Sequence, residues 1–348
     1  VSAHPLPVAG GSRFCNSQMR TPSPVDEPDA FRAAIANYCT HERVDWLFPI
    51  TEASLRVLLP VRETLAASLP FPGAERFEAI SDKLQVLTAA AQLGIDIPKQ
   101  VEVHSAWDVV DTRQLSFPIV IKPSKSVNAN QQFAVSYASS REELSTMLGL
   151  LPTGAFPVLL QEKIVGPGMG IFLLIWGGGL RAQFAHRRLR EKPPSGGVSV
   201  LAEGIVADAS IVEQSVRLLN SFHWQGVAMV EYKQDIRSGR TLLMEVNGRF
   251  WGSLQLAIDS GVDFPTLLLA CSEGRGPAIP APYIPGLRCR WWWGDVDQLL
   301  SQMRRPRCSA ELSTSRTPRS KALHAFLTDR GRNEVLRWRD PFPAARES

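Results

Sequence analysis

Apolar residues recur along this chain with two periods, and each period predicts a different kind of element. Alternation at about two residues runs through 227–233 and returns through 241–249, on either side of a polar turn containing Asp235 and Gly239. That pattern predicts a β-hairpin. Shorter β-like runs lie at 44–49, 101–103, 117–123, 133–137 and 158–162, and a second hairpin joins 171–176 to 181–185 across Gly177, Gly178 and Gly179. A helical period marks 31–39, 55–69 with an interruption at Pro60, 107–115, 141–150, 209–222 and 253–270 with an interruption at Gly261. Another helix is predicted over 83–93, with Ser81 as its cap and Gly94 as its terminator. A helical stretch begins at Trp291, and 186–199 reads as a polar loop.

Strands alternating with helices predict a mixed α/β and α+β protein. The helix–strand–helix order of the first part is a fragment of an open, Rossmann-like sheet. The expected organisation is a truncated N-terminal α/β domain over 1–78, a small α+β lobe over 79–160, a large lobe over 161–275 and a C-terminal extension with a helical tail over 276–348. The chain does not begin with Met, which fits an N-terminally incomplete sequence.

The 348 residues, 44% of them hydrophobic, suffice for a sizeable core and more than one domain. A net charge of +4 is too mild to argue for nucleic-acid binding. The basic, Ser/Thr-rich stretch 304–321 reads as a solvated linker, and Trp291, Trp292 and Trp293 as packing for the C-terminal segment. No run is apolar enough to span a bilayer, and the N-terminus has no basic-plus-apolar signal pattern. Cys15, Cys39, Cys271, Cys289 and Cys308 are dispersed, without metal-ligand spacing, as in a reducing cytoplasm.

The predicted hairpin carries the densest chemistry. Glu231 and Glu245 fall on neighbouring strands, while Asn247 and Arg249 share the face of Glu245. Two carboxylates and an amide oxygen form a hard oxygen site suited to Mg²⁺ bridging phosphates, and Arg249 adds a cation for a transferring phosphoryl group. The same residues would equally suit a solvated hairpin face. Lys122 ends a strand at Pro123 and can reach a phosphate, or snorkel at the surface. Lys83 lies in the first turn of its helix, against the dipole. Gln161, Glu162, Lys163, Ile164 and Val165 lead from one lobe to the next; such a strand edge can present backbone groups to an adenine ring, or serve as a plain linker. The stretch from His186 to Ser199 combines Arg187, Arg188 and Arg190 with Gly196 and Gly197, which suits an anion or a flexible loop.

In that order, with the segment Glu245-Val246-Asn247-Gly248-Arg249 as its strongest part, the chain resembles the ATP-grasp superfamily over about residues 40–270, within a bacterial group labelled carbamoyl-phosphate-synthase-like. The resemblance implies two α+β lobes clasping ATP. It makes Glu231, Glu245 and Asn247 ligands of Mg²⁺ or Mn²⁺, and Arg249 the residue that steadies the transferred phosphoryl group. Lys122 and Lys83 become phosphate-binding lysines. Glu162, Lys163, Ile164 and Val165 form the adenine hinge, and Arg188 stands near the γ-phosphate. The implied activity is an ADP-forming carboxylate–amine ligase working through an acyl phosphate on two small-molecule substrates, with no nucleic-acid or membrane partner and with room for a homodimer. Arg187, Arg188, Arg190 and residues 195–199 are candidates for holding the acceptor or the carboxylate. The sequence departs from the family in three places: Met169 at the expected ribose-binding position, a glycine-free stretch from Ser124 to Gln131 with Lys125 as a substitute cation, and the missing first βα unit. These departures favour a rival reading, a nucleotide-binding regulatory protein without turnover.

Overall fold

The computed structural model describes residues 1–128, 131–193, 196–304 and 318–347. The N-terminal part is helical: α1 (Pro28–His41), α2 (Glu52–Leu58), α3 (Ala74–Ser81) and α4 (Lys83–Gln92). Asp82 rather than Ser81 caps α4, its carboxylate accepting the Leu84 and Gln85 N–H groups. Gly94 ends that helix with φ of +73°. The strand expected over 44–49 is reduced to a single parallel bridge between Trp46 and Ser68.

A four-stranded sheet follows, ordered β1 (Gln100–Val103), β6 (Val158–Glu162), β2 (Ile119–Pro123) and β5 (Ser136–Ala138). It is backed by α5 (Arg141–Leu150), which Ser140 caps and whose Leu144 and Leu148 enter the sheet's own core. Between β2 and β5 a two-stranded ribbon pairs β3 (Val127–Asn128) with β4 (Gln131–Gln132). No helix forms over 107–115. Asp108 instead folds back to accept the His104 and Ser105 N–H groups, and Trp107 is 90% exposed, so an apolar helical face there would have nothing to cover.

The larger sheet has seven strands in the order β11 (Thr241–Asn247), β10 (Gly226–Gln234), β7 (Gly168–Trp176), β8 (Gly179–Lys192), β9 (Val198–Gly204), β12 (Arg288–Arg290) and β13 (Arg332–Asn333). One face is packed by α6 (Ala209–Ser221), where buried Tyr232 meets Ser215 at 2.8 Å. Next in the chain come α7 (Leu254–Asp259) and α8 (Phe264–Ser272), then α9 (Trp292–Arg304), α10 (Arg319–Thr328) and α11 (Phe342–Ala345). The main core joins this sheet to α1–α4, so α4 packs on β11 although it precedes the small sheet in sequence.

The principal difference from expectation is β8. Within the predicted loop 186–199, residues 186–192 belong to β8 and 198–199 to β9. Its residues are polar on both faces, because one face lines a cleft and the other meets charged partners such as Glu203. An apolar alternation is therefore absent from a segment that nonetheless pairs with β9 through two register shifts. The stretch 305–317, which holds most of the basic linker and Cys308, lies outside the described residues, as do 129–130 and 194–195.

Candidate active site in the cleft between the two sheets

A cleft of about 860 Å³ lies between the four-stranded and seven-stranded sheets, within the size range of small-ligand sites. Its floor is the exposed face of the larger sheet. Glu231 on β10 is paired directly with Glu245 on β11 and, on its other side, with Gly170 on β7, which faces His186 on β8. Directly paired residues of an antiparallel ladder point to the same face. One row therefore runs Glu245, Glu231, Gly170, His186, with Asn247 and Arg188 one pleat away. A β-bulge between Glu231 and Tyr232 leaves Met244 as the extra residue, and it joins Glu245 in lining the cleft.

The charges of this row are already matched. Lys122 crosses from the small sheet, donating to the Met244 carbonyl at 2.8 Å and standing 3.5 Å from Glu245. Asn247 Nδ2 donates to Glu245 Oε1 at 3.2 Å, and Arg249 reaches Asn247 Oδ1 at 3.3 Å and the Phe250 carbonyl at 2.9 Å. Burial pushes the Glu245 carboxyl up, but Lys122, Lys83 and the Asn247 amide outweigh it and bring it to about 2. Arg188 grips Glu231 through both guanidinium ends, at 2.9 and 2.5 Å, and also donates to Glu191 and the Gly197 carbonyl, each at 3.1 Å. Burial works against the Arg188 charge, yet Glu231 and Glu191 hold it more firmly protonated than usual. Burial raises the Glu231 carboxyl above its ordinary value, with Arg188 opposing and Glu245 reinforcing.

The remaining expected residues divide. Glu162, Lys163 and Ile164 line the cleft, with Lys163 5.8 Å from the Tyr137 ring; the Glu162 carboxylate is committed to the Lys99 N–H at 2.8 Å. Val165 falls outside it, its carbonyl taken by the Ile236 N–H at 2.9 Å. Lys83 is buried behind Glu245 in a narrow adjoining pocket, donating to Ser126 at 2.7 Å. Lys125 pairs with Glu78 rather than facing the cleft, so it does not replace a glycine lid as expected. Arg187 and Arg190 are corrected as well. Arg187 pairs with Glu203 beside the sheet, and Arg190 is tied to Asp295 and Asp329 of the C-terminal segment. Gly196, Gly197, Val198 and Ser199 do line the cleft, whereas Ser195 lies outside the described residues. Met169 pairs with Tyr232, whose side chain meets α6, so it faces the helical layer and not a nucleotide.

Several lining residues carry no sequence signal as site members: Tyr137, Met229, Lys233, Met244, Trp251, Trp291, Glu334 and Glu347. His186 had one. Read as strand, 186 and 188 share a face. Burial, then Arg188, pushes its imidazole down to about 3, so it is neutral; Nδ1 lies 3.3 Å from Ser253 Oγ and Nε2 has no partner.

Two facing sheets with an acid–amide row below and a lysine above are arranged as in the ATP-grasp fold, and this chain has that fold. Residues 156–294 match a family described as ATP-grasp in the biosynthetic pathway with Ter operon. Among solved structures, the chain is similar to an L-amino acid ligase from Bacillus licheniformis, at 20% identity and TM-score 0.55, over 70% of this chain and 60% of that one. It is similar to the biotin carboxylase domain of the 2-oxoglutarate carboxylase of Hydrogenobacter thermophilus in complex with MgADP, at 13% identity and TM-score 0.60, over 75% and 61% of the two chains. It is also similar to a biotin carboxylase from Campylobacter jejuni in complex with a nucleotide, at 12% identity and TM-score 0.63, over 83% and 68%. The chain thus spans about 60% of the length of the first two. A comparison with curated proteins finds no match.

Proposed function

We propose that this protein is an ADP-forming ligase that joins a carboxylate to an amine. The observation that carries this reading is the direct pairing of Glu231 with Glu245, with Asn247 on the same face and Lys122 reaching down from the opposite sheet. The residues fit a Mg²⁺–ATP complex. Glu245 is held ionised and Asn247 offers an amide oxygen. Among the described residues no group of three or more His, Cys, Asp or Glu forms a metal cage. Such a partial oxygen set suits Mg²⁺, which completes its shell with phosphates and water. The metal, once bound, supplies charge neutralisation at the phosphates.

In this reading the adenine lies against Ile164, Met244 and the strand edge at Glu162 and Lys163, as Lys122 meets the phosphates. A carboxylate oxygen of the substrate attacks the γ-phosphorus, the bond to the β-phosphate oxygen breaks, and ADP leaves. The amine nitrogen then attacks the acyl carbon, losing a proton as phosphate departs. The chain's own groups position and neutralise; Arg249 and Lys122 balance charge on the transferring group. Arg188 acts near the γ-phosphate once it loosens from Glu231. Small-molecule substrates are expected, and no helix among the described residues is long and apolar enough to cross a membrane.

Glu245→Gln is the test. ADP formation with Mg-ATP and a panel of carboxylates and amines is expected to fall at least about a thousandfold while circular dichroism shows the variant still folded at the assay temperature. Unchanged turnover would sink the mechanism. One observation favours the rival, a nucleotide-binding protein without turnover: Arg188 occupies both Glu231 oxygens. Thermal stabilisation by Mg-ATP with no ADP release for any substrate pair would select that reading.

A further inference from the structure

The C-terminal segment does more than cover the large sheet. Its strand β12 adds to β9, and Trp291, directly after it, donates from its backbone N–H to the Val200 carbonyl at 2.9 Å. The Glu334 N–H is held by the Arg290 carbonyl at 3.0 Å. The Trp291 indole N–H donates to Glu347 Oε1 at 2.5 Å. Trp291, Glu334 and Glu347, tied together by these bonds, line the cleft along with Ser199 and the stretch Trp251-Gly252-Ser253 that leads into α7. Arg337 ties this wall to α7 through Asp259, at 2.8 Å.

The nearby cations are committed elsewhere. Arg337 pairs with Asp259 and touches only the Glu334 backbone carbonyl, at 3.5 Å. Lys192 pairs with Asp297 and also stands over the Trp291 ring, 5.4 Å from its centroid, while Arg190 and Arg290 both pair with Asp295. Among the described residues no ion pair or hydrogen bond reaches the Glu334 carboxylate. Burial, and then Glu347, push it up to about 7, with Arg337 opposing. Two further side chains of the same cleft carry unpartnered buried atoms: His186 Nε2, in the row of Glu245 and Glu231, and Trp251 Nε1, their side chains only 1% and 6% exposed. Unsatisfied polar atoms that deep are costly unless a ligand completes them.

We infer that Trp291, Glu334 and Glu347 form an acceptor subsite selective for a cationic amine. This assignment rests on the reading of the cleft as a ligase site and adds the substrate class that the metal row leaves open. Glu347 accepts from the edge N–H of the Trp291 indole, and Glu334 lies close enough to feel the Glu347 charge. Two such carboxylates suit an ammonium-bearing substrate, which gains charge-assisted hydrogen bonds, while the indole ring already carries the Lys192 ammonium. An anionic acceptor would meet like charge there.

The test measures binding, so it needs no turnover. The full chain, loaded with Mg²⁺ and a non-hydrolysable ATP analogue, is titrated calorimetrically with putrescine, L-lysine amide and ethanolamine, and with 1,4-butanediol and glutarate as neutral and anionic counterparts. At least one amine is expected to bind, with the diol and glutarate at least tenfold weaker. Glu334→Gln and Glu347→Gln are each expected to weaken that amine at least tenfold, and Glu334→Asp to recover part of the loss. Affinity for the ATP analogue should change less than twofold, which separates this role from a folding defect. Binding of none of the amines, equal binding of butanediol, or amine binding indifferent to both Gln variants would overturn the inference. Amine binding that behaves as expected, with no ADP release for any carboxylate offered, would instead overturn the ligase reading and leave the subsite standing.

Discussion

The acid–amide row and the acceptor wall face the same cleft but are built in opposite ways. Glu231, Glu245, Asn247 and Arg249 come from one hairpin, and their charges are paired before any ligand arrives: Glu245 with Lys122, Glu231 with Arg188. The acceptor wall gathers Trp291, Glu334 and Glu347 from distant parts of the chain, and in the same cleft the buried His186 Nε2 and Trp251 Nε1 lack partners. A buried charge with a partner holds its geometry in the empty protein, whereas an unpaired polar atom raises the free energy of the empty state. On this basis the nucleotide end is preorganised and the acceptor end is completed by its substrate.

The sharpest way to break this contrast is Arg188→Leu. It strands Glu231 and Glu191 in a buried site, and the expected loss of stability is about 3–5 kcal/mol in urea unfolding. A loss below about 1 kcal/mol would mean that the row is not held by its pairs. Arg190→Leu, two residues along the same strand, serves as the control. It should loosen the C-terminal segment comparably while leaving affinity for Mg-ADP within about twofold, since Arg190 touches Asp295 and Asp329 and not the cleft.

A smaller effect sharpens the unpaired side of the contrast. The folded-state pKa of His186 lies far below that of a free imidazole. As pH falls below 6.5 the unfolded chain takes up the proton first, so this group's contribution to stability is lost progressively toward pH 3. Between pH 7 and pH 5 that is roughly 2 kcal/mol. His186→Gln should lack this part of the acid loss when urea midpoints are compared across pH. An identical pH slope in both proteins would show that the imidazole is not buried neutral. The smallest expected effect is that of Met244→Ala, which removes apolar surface from the nucleotide end. Mg-ADP affinity should drop about fivefold, near 1 kcal/mol, with amine binding unmoved. A larger effect on the amine than on the nucleotide would reverse the assignment of the two ends.

The acid–amide row was legible because it is local. A turn between two alternating runs sets the register that puts Glu231 opposite Glu245, and a spacing of two puts Asn247 on the same face. The strand-end Lys122 was legible for the same reason. The segment after His186 was not, because a strand with a polar cleft on one face and salt bridges on the other has no apolar alternation to announce it. That one misreading as loop hid His186 and grouped Arg187, Arg188 and Arg190 as equivalent cations, when strand geometry sends Arg188 to Glu231, Arg187 to Glu203 and, past a register shift, Arg190 to the C-terminal helices.

What the sequence by itself determined is the class of fold, the order of its elements and the acid–amide row, all of which depend on side-chain periods and short turns. The tertiary structure decided which of the many charges meet one another: Lys122 over Glu245, Lys125 away toward Glu78, Met169 toward the helices, and Glu334 with Glu347 at the far wall. Those choices follow from sheet order, from a single bulge and from how the last sixty residues dock, and none of these is a function of local spacing.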